Sequence, residues 1–202
     1  MWRALDAPPI IYWSAITLEP RASPQDLADV HGSLCDSWST VDLAPLGFRE
    51  RLREPWFVRP SGELGTGERP PELEIVRVST PSEVVEFEAV SVRAFGDEDA
   101  RIDAGALHPA TILADGRMRM LTGRVDGRPV AAATGYRTDE AVGIYGVATI
   151  ASARRRGYAS ALTRALLEPA IPAVLSPSPE GERMYRRLGF APVGELCQWE
   201  RR

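Results

Sequence analysis

Between Val142 and Glu168 the chain passes from an unbroken apolar run, through three consecutive arginines, to a glycine and an amphipathic repeat. This order is the strongest constraint in the sequence. The run Val142 to Ile150 is apolar almost throughout and reads as a buried strand. Arg154, Arg155 and Arg156 then form a charged loop, and Gly157 precedes a helix from about Tyr158 to Glu168. A buried strand, a tight turn and a helix are therefore expected in immediate succession.

The flanking elements define the fold class. Glu74 to Ser79 alternates as a strand, and Thr80-Pro81-Ser82-Glu83 opens a helix carrying Val84, Val85, Phe87, Val90, Val92 and Phe95. Residues 97 to 116 read as irregular, with room for a short helix. Met118 to Val125 and Pro129 to Arg137 are strands joined at Asp126-Gly127, a strong hairpin signal. Ala173 to Ser176 is a short buried strand. Glu180 to Leu188 is a helix closed by Gly189, and Phe190 to Val193 and Leu196 to Glu200 are the last strands. The predicted class is α+β, a mixed and mostly antiparallel sheet flanked by helices, with a small N-terminal α/β segment.

The stretch from Arg59 to Glu72 holds three prolines and three glycines in fourteen residues, which disfavours regular structure. It divides the chain into an N-terminal segment, 1–58, a linker, 59–72, and a main domain, 73–202. In the first segment Ile10 to Leu18 is rich in β-branched and aromatic residues and predicts a strand. Ser23-Pro24 predicts a helix running to about Trp38. Trp2, Trp13, Trp38 and Trp56 all lie in this segment. The simplest reading makes them the core of a small subdomain packed on the main domain, and the other a lid over a substrate.

Composition excludes several classes of function. The net charge is −4, whereas nucleic-acid binders carry a basic surplus. The charge is uneven, however. No acidic residue lies between Glu140 and Glu168, where Arg154, Arg155, Arg156 and Arg164 cluster, a pattern suited to a small anion. Two cysteines, Cys35 and Cys197, and two histidines, His31 and His108, form no metal-ligand spacing. No run is long enough to span a membrane, and no signal peptide is evident. The expectation is a cytoplasmic protein with reduced thiols and no metal.

The start of a helix leaves backbone N–H groups without intrahelical partners. The helix dipole adds about half a positive charge there, and a pyrophosphate fits such a cradle. Gly157 and Ala159 keep the approach open, and the arginines add charge-assisted contacts. The ATP-binding P-loop needs a lysine, and the chain has none.

Arg154, Gly157 and Ala159 fill a pattern of Arg or Gln, two residues, Gly, one residue, Gly or Ala. This stretch resembles the acyl-CoA-binding motif of the GNAT acetyltransferase superfamily, although Ala151 stands where the family often has proline. A second motif, Tyr185-Arg186-Arg187-Leu188-Gly189-Phe190, resembles the family's Tyr, three residues, Gly, Phe. The resemblance spans about residues 74 to 200. It implies that acetyl-CoA is the cosubstrate and that Arg154, Arg155, Arg156, Gly157, Tyr158, Ala159 and Ser160 hold its pyrophosphate. It further implies that the central strand splays from its neighbour, so that Val147, Ala148 and Thr149 pair with the pantetheine arm. Ser176 or Ser178 would assist. Tyr185 would be the catalytic acid that protonates the departing thiolate; the simpler reading is a tyrosine packed on the sheet.

Many members of the superfamily carry an acidic base on the central strand. Here that strand offers Tyr145, with Glu140 just before it, and no base is assigned. The leading expectation is an N-acetyltransferase acting on a small-molecule or peptide amine. The other is an acyl-CoA-binding or interaction module with little turnover. Neither nucleic acid nor membrane is an expected partner, and a homodimer is compatible with both readings.

Overall fold

The computed structural model describes residues 1–9, 12–65, 67–96, 105 and 107–201. In chain order the strands are β1 (Trp2–Arg3), β2 (Ala15–Ile16), β3 (Gly32–Asp36), β4 (Arg49–Arg59), β5 (Glu74–Arg77), β6 (Met118–Val125), β7 (Arg128–Arg137), β8 (Val142–Thr149), β9 (Ala173–Leu175) and β10 (Ala191–Arg201). The helices are α1 (Pro81–Phe95), α2 (Tyr158–Leu166) and α3 (Glu182–Arg187). Two compact units divide the chain. One comprises Met1–Phe57, Ser176–Glu180 and Pro192–Arg202, the other Val58–Leu175 and Gly181–Ala191.

In the first unit β1 pairs antiparallel with β2, β2 parallel with β3, and β3 antiparallel with β10. Ala15, Leu27, Val30, Leu34, Val41, Leu43, Phe48, Cys197 and Trp199 form its core. The strand expected over Ile10 to Leu18 shrinks to Ala15–Ile16, with Ile10 and Ile11 outside the described residues. The helix expected from Ser23 to Trp38 is replaced by a single 3-10 turn, Pro24–Leu27, and by β3. Ser23 is spent on the Gln25 side chain and caps nothing. Gly32 takes a φ of 84° and turns the chain into five rungs with β10. Pairing with a distant strand has overridden local helix propensity.

Asp36 ends that strand. Its buried carboxylate accepts from Thr17 Oγ1 at 3.0 Å and from the backbone N–H groups of Thr40 at 2.7 Å and Val41 at 2.8 Å. The tryptophans expected in the core are not there. Trp2 and Trp38 are 45% and 41% exposed, Trp13 and Trp56 are half-buried, and the buried ring is Trp199. Cys35 lies opposite Gln198, and Cys197 opposite Asp36. One rung apart, the two thiols point to opposite faces of the sheet.

The second unit follows the sequence expectations closely. β5, β6, β7 and β8 form an antiparallel meander, and β9 joins β8 in parallel. Asp126 and Gly127, with φ of 50° and 73°, make the β6–β7 turn. Both residues are left-handed, which matches the twist of the flanking strands. The two faces of the meander are covered by different helices. Val84, Phe87 and Val90 of α1 pack with Met120 and Ala132. On the opposite face α2 lies so close that a Cβ at Gly123 or Gly135 would stand 3.0 Å from Leu162 Cδ1 or Leu166 Cδ2. Both leucines are fully buried, each stabilising the unit by about 1.5–3 kcal/mol.

α1 begins at a capping box. Thr80 Oγ1 accepts from the Glu83 N–H at 3.3 Å, and Glu83 Oε2 accepts from the Thr80 N–H at 3.0 Å. Backbone and hydroxyl donors of Ser79 and Thr80 hold the Glu83 carboxyl below its usual range. The segment Pro60 to Glu72 carries no helix or strand among its described residues. It is nevertheless tied down. Arg59 donates to the Leu188 carbonyl at 3.2 Å and to that of Glu63 at 2.7 Å, and Arg164 donates to that of Gly65. Glu72 accepts from the Tyr158 hydroxyl at 2.8 Å.

Candidate active site

The site is built on the last half of β8. Opposite β7, Ala148 faces Ala132 and Tyr145 faces Thr134, so Gly146 and Val147 together oppose Ala133. This is a β-bulge, and Gly146 adopts the φ of 56° that it demands. On its other edge β8 pairs with β9 only at Val142↔Ala173 and Gly143↔Val174. From Ile144 to Thr149 that edge has no strand partner among the described residues. Val142, Gly143 and Ile144 are buried as expected, whereas Tyr145 and Gly146 are exposed at the opening.

The open strand runs into the arginine loop. Ala151–Ala153 forms a 3-10 turn, and Arg155 and Gly157 are both left-handed, with φ of 64° and 83°. The first bond of α2 runs from the Ala161 N–H to the Gly157 carbonyl at 3.0 Å. The N–H groups of Tyr158, Ala159 and Ser160 therefore precede the helical ladder. No acidic side chain lies in the first turn and no side chain caps it.

The three arginines play different parts. Arg154 donates from Nε to the Thr149 carbonyl at 3.1 Å and from Nη2 to the Ala94 carbonyl at 2.8 Å. Its guanidinium fastens the loop to the end of α1, a role the sequence reading did not foresee. Arg155 and Arg156 are exposed. Tyr158 is buried with its hydroxyl on Glu72, while Ala159 and Ser160 are half-buried. Val147 is half-buried and Ala148 buried. The Thr149 hydroxyl is buried and has no hydrogen-bond partner among the described residues, an orphan that a ligand carrying polar groups would satisfy. Ser176 and Ser178 belong to the first unit, Ser178 being exposed.

Tyr185 sits on α3 with only 7% of its surface exposed. Its ring meets Phe190 edge to face, 5.8 Å between centroids at 77°. Burial pushes its phenol up to about 12, against a smaller opposing effect of a Thr163 hydrogen bond. Such a phenol stays protonated at neutral pH and remains a donor. α3 is shorter than predicted, Glu182–Arg187, with Gly189 at φ 88° just beyond it.

The model of the acetyltransferase (GNAT) family matches residues 83–190, more than half of the chain. The chain belongs to the GNAT family. Solved GNAT structures share its fold. A GCN5-related N-acetyltransferase from Kribbella flavida superposes with a TM-score of 0.65 at 24% identity, covering 93% of this chain and 81% of that one. A putative GNAT acetyltransferase from Novosphingobium aromaticivorans gives 0.58 at 17% identity, covering 84% and 74%. No curated protein matches the sequence.

Within this GNAT chain Val147, Ala148, Thr149, residues 154–160 and Tyr185 all belong to the second unit, and Ser178 to the first. Sequence reasoning missed Glu72 under Tyr158, the Ala94 carbonyl under Arg154, and the buried carboxylate of Glu88. The last had a signal. Glu88 lies four residues after Val84 and one after Phe87, on the apolar stripe of a GNAT helix where a charge is costly. Among the described residues no group of His, Cys, Asp or Glu is placed to hold a metal ion, and no helix is long and apolar enough to cross a membrane.

Proposed function

We propose that the protein is an N-acetyltransferase that moves the acetyl group of acetyl-CoA to a primary amine. One observation carries this reading: the open edge of β8 leads directly, through the arginine loop, to the three free-standing N–H groups of α2. An extended pantetheine arm has a strand edge to pair with, and a pyrophosphate has a helix start to meet. Val147, Ala148 and Thr149 would hold the arm, and Arg155, Arg156, Gly157, Tyr158, Ala159 and Ser160 the phosphates. The thioester supplies an activated acyl group. At the bulge, an N–H of Gly146 or Val147 is available to polarise its carbonyl. Tyr185 would give its proton to the departing sulfur. The absence of a carboxylate on β8 favours a second reading, a GNAT-like module that binds acyl-CoA with little turnover.

The test is acetyl-CoA-dependent thiol release across a panel of amines, run beside binding of CoA to Ser160→Asp. A carboxylate in the first turn favours the helix itself by about 0.3–1 kcal/mol, yet it repels a phosphate. The variant should melt no lower than the wild type and bind CoA at least tenfold more weakly. Unchanged affinity would remove the pyrophosphate assignment. Tight CoA binding without thiol release for any amine would favour the binding module.

A further inference from the structure

The sheet-facing side of α1 carries one carboxylate, Glu88, which is 0% exposed. It accepts from the Gly105 N–H at 2.8 Å and from the Leu107 N–H. Burying a carboxylate is costly, and among the described residues no arginine pairs with it. Its direction follows from the helix. Glu86 reaches Arg124 on β6. Two residues further on is about 200° around the axis. Glu88 therefore lies on the flank turned away from β6, and α1 packs on β7 and β8 as well. β8 is the strand whose far edge is open. The residue that follows the two amides is His108. It is 9% exposed, and its ring meets Phe87 edge to face at 5.7 Å and 61°. Adjacent residues of α1 thus address both the imidazole and the loop that carries it.

We infer that His108, held by Phe87 and Glu88, is the base that takes the proton of the acceptor amine. The inference rests on the acyl-transfer reading and supplies the group that β8 lacks, since its protic side chains are Tyr145 and Thr149. The amine lone pair forms the C–N bond to the thioester carbonyl carbon, and its N–H proton passes to the unprotonated imidazole nitrogen. The C–S bond breaks and the sulfur leaves with the electron pair, taking the Tyr185 phenolic proton. Imidazolium and phenolate then exchange a proton through solvent, and the products are an amide and free thiol. Burial lowers the His108 pKa below the ordinary imidazole value, so the ring is unprotonated at neutral pH. The Glu88 charge opposes that shift, so it stabilises the imidazolium once the proton has moved. The flanking segment from Pro109 to Ala114 carries no titratable side chain.

The experiment measures kcat/KM against pH for the wild type, His108→Gln and Glu88→Gln, with two active amines of different basicity. The imidazoles are titrated in parallel by NMR, with His31→Gln assigning the two signals. An acidic limb that does not move between the amines should coincide with the His108 titration, below about 6.5. His108→Gln should lose that limb and about 10²–10⁴-fold in rate. Glu88→Gln should shift both limb and titration lower together. Should His108→Gln fail to fold, the wild-type coincidence alone decides. An active wild type whose limb and imidazole titration differ by more than about one pH unit overturns the base and leaves acyl transfer standing. So does a folded His108→Gln of full activity. A wild type that releases no thiol with any amine overturns acyl transfer, and the base with it.

Discussion

At Tyr185 two roles compete, and one hydroxyl separates them. Packing on Phe190 needs the ring, whereas protonation of a leaving sulfur needs the phenol. The thiol has a reference pKa of about 8.5, while burial holds this phenol up near about 12. The proton is therefore present at every pH where the enzyme would work. Tyr185→Phe should lower single-turnover thiol release about 10²–10⁴-fold and leave CoA affinity unchanged. Equal single-turnover rates would make Tyr185 a packing residue. The place of Tyr185 on a helix closed by Gly189 was legible from its motif. The role of Arg154 was not, because a sequence gives no sign that a guanidinium will be spent on two carbonyls far apart in the chain, those of Ala94 and Thr149.

At the scale of elements, the parts written in local chemistry were the legible ones. The Asp126-Gly127 turn fixes the β6–β7 hairpin, and Thr80-Pro81-Ser82-Glu83 fixes the start of α1. Thr80→Ala breaks the capping box and should cost about 0.5–2 kcal/mol in a denaturant titration. A loss under about 0.3 kcal/mol would show that Pro81 and tertiary packing set this end unaided. The misread elements were those fixed by distant partners. Gly32–Asp36 is a strand because β10 lies beside it, and the one local signal against the Ser23-Pro24 helix is Gly32. β10 was read as two strands across Gly194 and is one. The bulge at Gly146 had one sign, a glycine inside a strand, but an apolar run does not reveal its own register.

At the scale of the whole molecule, the first unit draws on distant parts of the sequence. Cys197 and Trp199 of β10 complete a core otherwise built from residues before Phe57. Removing residues 192–202 should therefore abolish amide-exchange protection across Gly32–Asp36 while β6, β7 and the first half of β8 keep theirs. Full protection of Gly32–Asp36 in the shortened chain would show that the first unit closes without β10. The same arrangement orders events during synthesis. At about 5–20 residues per second, roughly 7–27 s separate the emergence of Phe57 from that of Pro192. In that interval the meander, α1 and α2 have all been made, whereas β3 still waits for its antiparallel partner. Residues before Phe57 are thus made earlier than the meander yet able to finish folding only after it, and in the interval the edge of β3 that β10 will cover has no partner.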